Sequence, residues 1–168
     1  NNAFGINALG ANTTGEYNTA VGNNVLDANT TADYNTSVGA ASLTDNTTGE
    51  HNVSLGADSL GNNTTASNNT AVGSSALYAN TTASNNTAVG RQALGANTTG
   101  ADNTAVGYQA LASTNHTRNL GIGYRALTAQ SGSSDNIAIG HDALVRQTTG
   151  ANGNIAIGNY AGRAVVSS

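Results

Sequence analysis

Asn86-Thr-Ala-Val-Gly-Arg-Gln-Ala-Leu-Gly-Ala-Asn-Thr-Thr-Gly-Ala-Asp102 is one copy of a unit that fills the whole chain. Units begin at Asn1, Asn18, Asn35, Asn52, Asn69, Asn86, Asn103, Asn119, Asn136 and Asn154. The spacing is 17 residues, apart from one unit of 16 and one of 18 near the end. Both length changes fall after the Leu position, so a loop absorbs them. A fixed period of this kind marks a repeat architecture, in which each unit covers its neighbours.

The columns of the repeat carry the physics. The first position is Asn in every unit. The fourth is large and apolar: Phe4, Val21, Val38, Leu55, Val72, Val89, Val106, Ile122, Ile139, Ile157. The fifth is Gly: Gly5, Gly22, Gly39, Gly56, Gly73, Gly90, Gly107, Gly123, Gly140, Gly158. The ninth is Leu from Leu9 to Leu144 and lapses only at Gly162. The third and eighth positions are small, mostly Ala or Ser, with Val25 the larger exception.

Two large apolar residues per unit are too few for a helical hairpin repeat. They suit a parallel β-solenoid, or β-roll, of about ten coils with two short strands per coil. Thr-Ala-Val alternates with period two, as a strand does. The following Gly marks a turn with positive φ or a close backbone approach. A second strand is expected to carry Ala and Leu, with the Val and Leu columns forming a lean core. Ala-Asn-Thr-Thr-Gly is turn-forming and closes the coil. Coils stacking at about 4.8 Å would make a rod of roughly 45–50 Å. The first-position column (Asn1, Asn18, Asn35, Asn52, Asn69, Asn86, Asn103, Asn119, Asn136, Asn154) is expected to hydrogen-bond along the axis as a ladder. Residues 1–168 read as a single repeat domain excerpted from a longer fibre, with a degenerate end over 161–168.

Composition sets the outer limits. Charged residues make up 8% of the 168-residue chain and aromatics 4%, and Pro, Cys, Met and Trp are absent, so neither a broad aromatic core nor a disulfide framework is available. Only five Lys and Arg argue against nucleic-acid binding through phosphates. No apolar run approaches the length of a membrane helix, so no membrane insertion is expected.

The segments Asn136-Ile-Ala-Ile-Gly140, Asn154-Ile-Ala-Ile-Gly158 and Asn119-Leu-Gly-Ile-Gly123, with the Asn-Thr-Ala-Val-Gly units, resemble the head repeats of trimeric autotransporter adhesins of the Yersinia type. The 17-residue form is also similar to repeats of phage tail fibres and large bacterial surface proteins. The resemblance implies a left-handed parallel β-roll packed as a homotrimer on an extracellular fibre or cell surface. It also implies adhesion, with a host surface or glycans as partner. The Ala-Asn-Thr-Thr-Gly insert makes each coil longer than the usual adhesin repeat, which bears on how neighbours would meet.

Several motifs invite chemistry. Asn-Thr-Thr recurs at Asn12, Asn29, Asn46, Asn63, Asn80 and Asn97, each a glycosylation sequon at the same coil position. One reading is a row of glycans; the plainer one is that Asn and Thr are good turn and ladder residues. The same threonines offer O-linked attachment, which the sequence does not separate from N-linked. Thr19, Thr36, Thr70, Thr87 and Thr104 form a further column, interrupted by Val53, that raises ice binding as a lesser reading.

Gly121-Ile-Gly123-Tyr-Arg-Ala126 matches a dinucleotide-binding pattern by letter only, because its second Gly belongs to the turn column. His51, His116 and His141 have no ligand partner at metal spacing. The exposed tyrosines suit either sugar stacking or cover for a core rim. The reading is therefore a structural or adhesive fibre segment without catalytic, cofactor or metal residues. It would self-associate as a homotrimer or, alternatively, as a glycan-coated filament assembled end to end.

Overall fold

The structure is a computed structural model that describes residues 1–130, 132–148 and 152–166. The chain is an all-β solenoid. One three-residue strand occupies the second to fourth positions of each coil: β1 (Asn2–Phe4), β2 (Thr19–Val21), β3 (Thr36–Val38), β4 (Val53–Leu55), β5 (Thr70–Val72), β6 (Thr87–Val89), β7 (Thr104–Val106), β8 (Leu120–Ile122), β10 (Ile137–Ile139) and β12 (Ile155–Ile157). These ten strands form one parallel sheet in coil order, each paired with the same positions of its neighbours; Val72 lies opposite Val89 and Ala71 opposite Ala88.

The expected second strand is present only near the C-terminal end. There β9 (Ala129–Gln130), β11 (Arg146–Thr148) and β13 (Ala164–Val166) form a small parallel sheet in the order β13-β11-β9. In earlier coils the Ala-Leu segment is a chain of turns, with the seventh and ninth residues in the left-handed region, as at Gln92 (φ 58°) and Leu94 (φ 51°). Their amides point opposite ways along the axis. The Gln92 N–H donates to the Ser74 carbonyl of the preceding coil, and the Leu94 N–H donates to the Ala110 carbonyl of the following one. The segment therefore hydrogen-bonds to both neighbours without being extended. The left-handed conformation costs a Leu about 1–2 kcal/mol. Full burial of its side chain contributes about 1.5–3 kcal/mol, enough to hold it there.

The core is leaner than the sequence suggests. Inside lie the ninth-position leucines, from Leu26 to Leu144, with the small third- and eighth-position residues such as Ala71, Ala76, Ala88 and Ala93. The fourth-position column, expected to share the core, faces outward instead. Alternation within the strand decides this: the middle residue points in and its two neighbours point out. Two coils carry Ser at both small positions, and these buried hydroxyls bond to one another. Ser37 donates to Ser42 at 2.7 Å, Ser42 donates to Ser54 at 2.7 Å, and Ser54 also meets Ser59.

The Gly column meets both conditions anticipated for it. Gly73 has φ +129°, and a Cβ there would lie 2.7 Å from the Gly90 carbonyl carbon of the next coil. Where the sequence pattern lapses at the end, the path of the coil persists. Gly162 takes the left-handed conformation of the missing Leu (φ 59°), and β13 still pairs with β11. Ser167 and Ser168 of the expected degenerate end lie outside the described residues.

Candidate functional site

The surfaces available for function are columns, because each coil position repeats along the rod. The first-position asparagines form the expected ladder, buried from Asn18 to Asn136, with Asn1 exposed and Asn154 half-buried at its ends. Its main rung is a backbone N–H donating to the side-chain oxygen of the preceding Asn, 2.9 Å from Asn86 N to Asn69 Oδ1 and 3.0 Å from Asn103 N to Asn86 Oδ1. The amide nitrogen reaches across its own coil, as where Asn69 Nδ2 donates to the Ala83 carbonyl at 3.0 Å. Direct amide-to-amide rungs join several coils, including Asn103 to Asn86 at 3.2 Å.

The sequon asparagines build a second ladder. Asn29, Asn46, Asn63, Asn80 and Asn97 are fully buried, and Asn12 of the first coil is partly so. Asn63 Nδ2 donates to Asn46 Oδ1 at 2.8 Å and to the Ala66 carbonyl at 3.0 Å. Asn80 repeats both bonds, to Asn63 Oδ1 at 2.9 Å and the Ala83 carbonyl at 3.0 Å. From Asn29 to Asn97 both hydrogens of each amide are thus engaged inside the rod, while Asn12 Nδ2 in the first coil donates to the Gly15 carbonyl at 3.0 Å. A glycan on Nδ2 would replace one of them and has no space beside the neighbouring coil. The geometry favours the plainer reading of Asn-Thr-Thr, in which its Asn is a ladder residue.

The two threonines of the motif differ from each other. The first donates its hydroxyl to a carbonyl of the next coil: Thr13 to Thr30 at 2.8 Å, Thr47 to Thr64 at 3.0 Å, Thr64 to Thr81 at 3.0 Å. The second, at Thr14, Thr31, Thr48, Thr65, Thr82 and Thr99, is exposed in all six coils.

The outer face of the main sheet carries two rows. The Thr19, Thr36, Thr70, Thr87, Thr104 column, with Val53 in line, forms one row, and the fourth-position aliphatics form the other. Val21, Val38, Leu55, Val89 and Val106 are 36–38% exposed, and the row ends on Phe4 and Ile157 at 79% and 68%. Over β8, β10 and β12 both rows are aliphatic: Leu120 with Ile122, Ile137 with Ile139, Ile155 with Ile157. The paired threonine rows that ice binding calls for are therefore not found on this face, where the second row is aliphatic.

The aromatic residues stack on one another. Tyr17, Tyr34 and His51 form a parallel pile with centroid spacings of 4.9 Å, and Tyr108, Tyr124 and His141 form a second at 5.3 and 4.8 Å. Tyr160 closes the second pile edge-on, and Arg91 lies 5.9 Å over the Tyr108 ring. Ring faces that sequence reasoning offered to sugars are largely taken by neighbouring rings, leaving edges and hydroxyls to solvent. Equal coil positions among Tyr17 and Tyr34, and among Tyr108 and Tyr124, were the legible signal for this. Tyr78 lies against Gly61, with ring carbons 3.2 Å from where a Cβ would stand. Beside it an open groove of about 430 Å³ runs past Gln92, Gly95 and Gln109, with Tyr78 its one ionisable lining residue.

The motifs that invited chemistry in the sequence have structural surroundings among the described residues. Gly121 is inside strand β8 and Gly123 is in the turn column with φ +129°, so the dinucleotide pattern has no helix to open. His116 Nε2 accepts the Gly132 N–H at 2.9 Å, while His51 and His141 sit in the stacks. Among the described residues no three His, Asp or Glu side chains are grouped to hold a metal ion, and no helix is long and apolar enough to cross a membrane. One exposed ion pair has close geometry: Arg118 Nε meets Asp135 Oδ1 at 2.6 Å. That hydrogen bond, with the attraction between the charges, raises the Arg118 pKa and lowers that of Asp135. The fold places the chain among β-solenoid repeat proteins. No protein family, curated protein or solved structure matches it.

Proposed function

We propose that the chain is a structural and adhesive rod of an extracellular fibre, on a bacterial surface or a phage tail, and not an enzyme. Copies pack side by side as a homotrimer through the outer face of the main sheet. The observation that carries this reading is the unbroken outward row from Phe4 to Ile157, which leaves large aliphatic side chains in water along the whole rod. A contiguous apolar surface of that kind marks an interaction face. Side-by-side packing removes it from water and thickens a core that is thin in each chain. The rod then acts by geometry. It holds repeated side chains at a fixed spacing, so that weak contacts to a host surface or its glycans add up through multivalency.

Light scattering on the purified chain tests the packing. The expected result is a discrete mass near three times 16.6 kDa. The double variant Val72→Asp with Val89→Asp, which places charges on the outer face, is expected to reduce it to the mass of one chain with an unchanged far-UV circular dichroism spectrum. A wild-type chain that stays single at high concentration removes the proposal.

A second reading is assembly end to end into a filament. It is supported by the way each coil donates and accepts along the axis in the same register, as Asn69, Asn86 and Asn103 do. Such a heterologous contact does not close. It would appear as an open-ended distribution of masses that the Val72→Asp, Val89→Asp variant leaves intact.

A further inference from the structure

The repeat provides its own internal alignment, because six coils of equal length present the same positions to the same surroundings. Outside the main sheet, exposed positions vary freely between these coils. The sixth position runs Ile6, Asn23, Ala40, Ala57, Ser74, Arg91, and the seventeenth runs Tyr17, Tyr34, His51, Asn68, Asn85, Asp102. Invariant positions have a visible structural duty: Asn29 to Asn97 bond along the ladder, Gly73 and its equivalents accommodate the next coil, and Leu26 to Leu94 fill the core. The fourteenth position breaks this rule. It is Thr in all six coils, at Thr14, Thr31, Thr48, Thr65, Thr82 and Thr99, and it is exposed in every one. The hydroxyl of the adjacent Thr is committed to the next coil, as in Thr47 to Thr64 at 3.0 Å, whereas Thr48 and its equivalents have no such bond. Packing and hydrogen bonding both leave the identity of this residue open, yet it does not change.

We propose that these six threonines are the sites of an O-linked glycan row, one sugar chain per coil. The chemistry is glycosyl transfer from a nucleotide-activated sugar. The bond from the anomeric carbon to the donor phosphate breaks, and a bond to Thr Oγ1 forms. The hydroxyl proton passes to a base of the transferase, and the nucleoside diphosphate leaves. An exposed secondary hydroxyl on a bend suits such an enzyme, whereas the buried Asn amides beside it do not. Coil stacking at about 4.8 Å sets the row at roughly the thickness of a pyranose ring, so adjacent sugars lie against one another. The inference goes beyond the packing proposed above and does not depend on it. It concerns the fourteenth position of the coil, not the second and fourth, and mass per chain tests it separately from mass of the assembly.

Two measurements decide it. Electron-transfer fragmentation of peptides from the natively sourced protein is expected to place sugar on Thr14, Thr31, Thr48, Thr65, Thr82 and Thr99. The intact mass should stand well above 16.6 kDa, resist amidase deglycosylation and fall on β-elimination. A mass equal to the bare chain, or sugar confined to Asn12 and its equivalents, overturns the proposal. The triple variant Thr31→Val, Thr48→Val, Thr65→Val of the unglycosylated chain tests the premise. Its thermal midpoint is expected to match wild type, and a marked drop would mean that the hydroxyls are kept for structure.

Discussion

Asn69→Ala isolates one rung of the interior ladder. The Asn69 side-chain oxygen accepts the backbone N–H of Asn86 at 2.9 Å, and its amide nitrogen donates to the Ala83 carbonyl. That carbonyl keeps a second donor, Asn80 Nδ2 at 3.0 Å. The Asn86 N–H has no alternative within the fully buried column, so truncation leaves one donor unsatisfied, at about 1–3 kcal/mol. The lost side-chain volume adds to this, and a total of about 3 kcal/mol is expected, in line with large-to-small core changes. For a chain of this length, that lowers the thermal midpoint by roughly 6–12 °C.

The assay is thermal unfolding followed by circular dichroism, with amide hydrogen exchange resolved at Asn86. Loss of protection should be centred on Asn86 and its neighbouring coil. Asn69→Asp refines the test, because its carboxyl keeps an acceptor and, when protonated, supplies a donor. Burial raises a carboxyl pKa. Asn69→Asp should therefore approach wild-type stability at low pH and lose it as pH rises through that raised value, since the unfolded chain ionises more readily. An Asn69→Ala protein within about 0.5 kcal/mol of wild type would refute the ladder as a source of stability.

Two further outcomes follow from the same geometry. Leu94→Ala should destabilise the rod by about 2–5 kcal/mol in urea titration, while Val89→Ala, on the outer face, should change the stability of the isolated chain by no more than about 0.5 kcal/mol; equal effects would contradict the inward-Leu, outward-Val division. Arg118→Ala should raise the titration midpoint of Asp135, read by carboxyl NMR. The Arg118 contact favours the charged Asp135, so its small contribution is present above the unfolded carboxyl pKa and disappears as pH falls through the lowered one.

The repeat by itself determined the solenoid. A period of 17 residues, with few large apolar side chains and a Gly after each Thr-Ala-Val, admits a stack of coils and little else. It also determined the first-position ladder, since an Asn retained in every coil needs a partner that recurs in every coil. Tertiary structure decided which apolar column faces inward. Alternation makes Ala88 and Val89 point to opposite sides, but only closure of the coil selects the side on which Leu94 lies. It decided the conformation of the Leu segment, because left-handed residues carry no sequence mark when they are not Gly or Asn. It decided the fate of the Asn-Thr-Thr motif as well. Letters alone leave Asn63 either a glycan acceptor or a turn and ladder residue, while the path of the bend turns its amide inward onto Asn46 and leaves Thr65 in water. Local sequence sets the period and the alternation. The side of the wall on which a residue falls depends on the closed coil and on the coils above and below it.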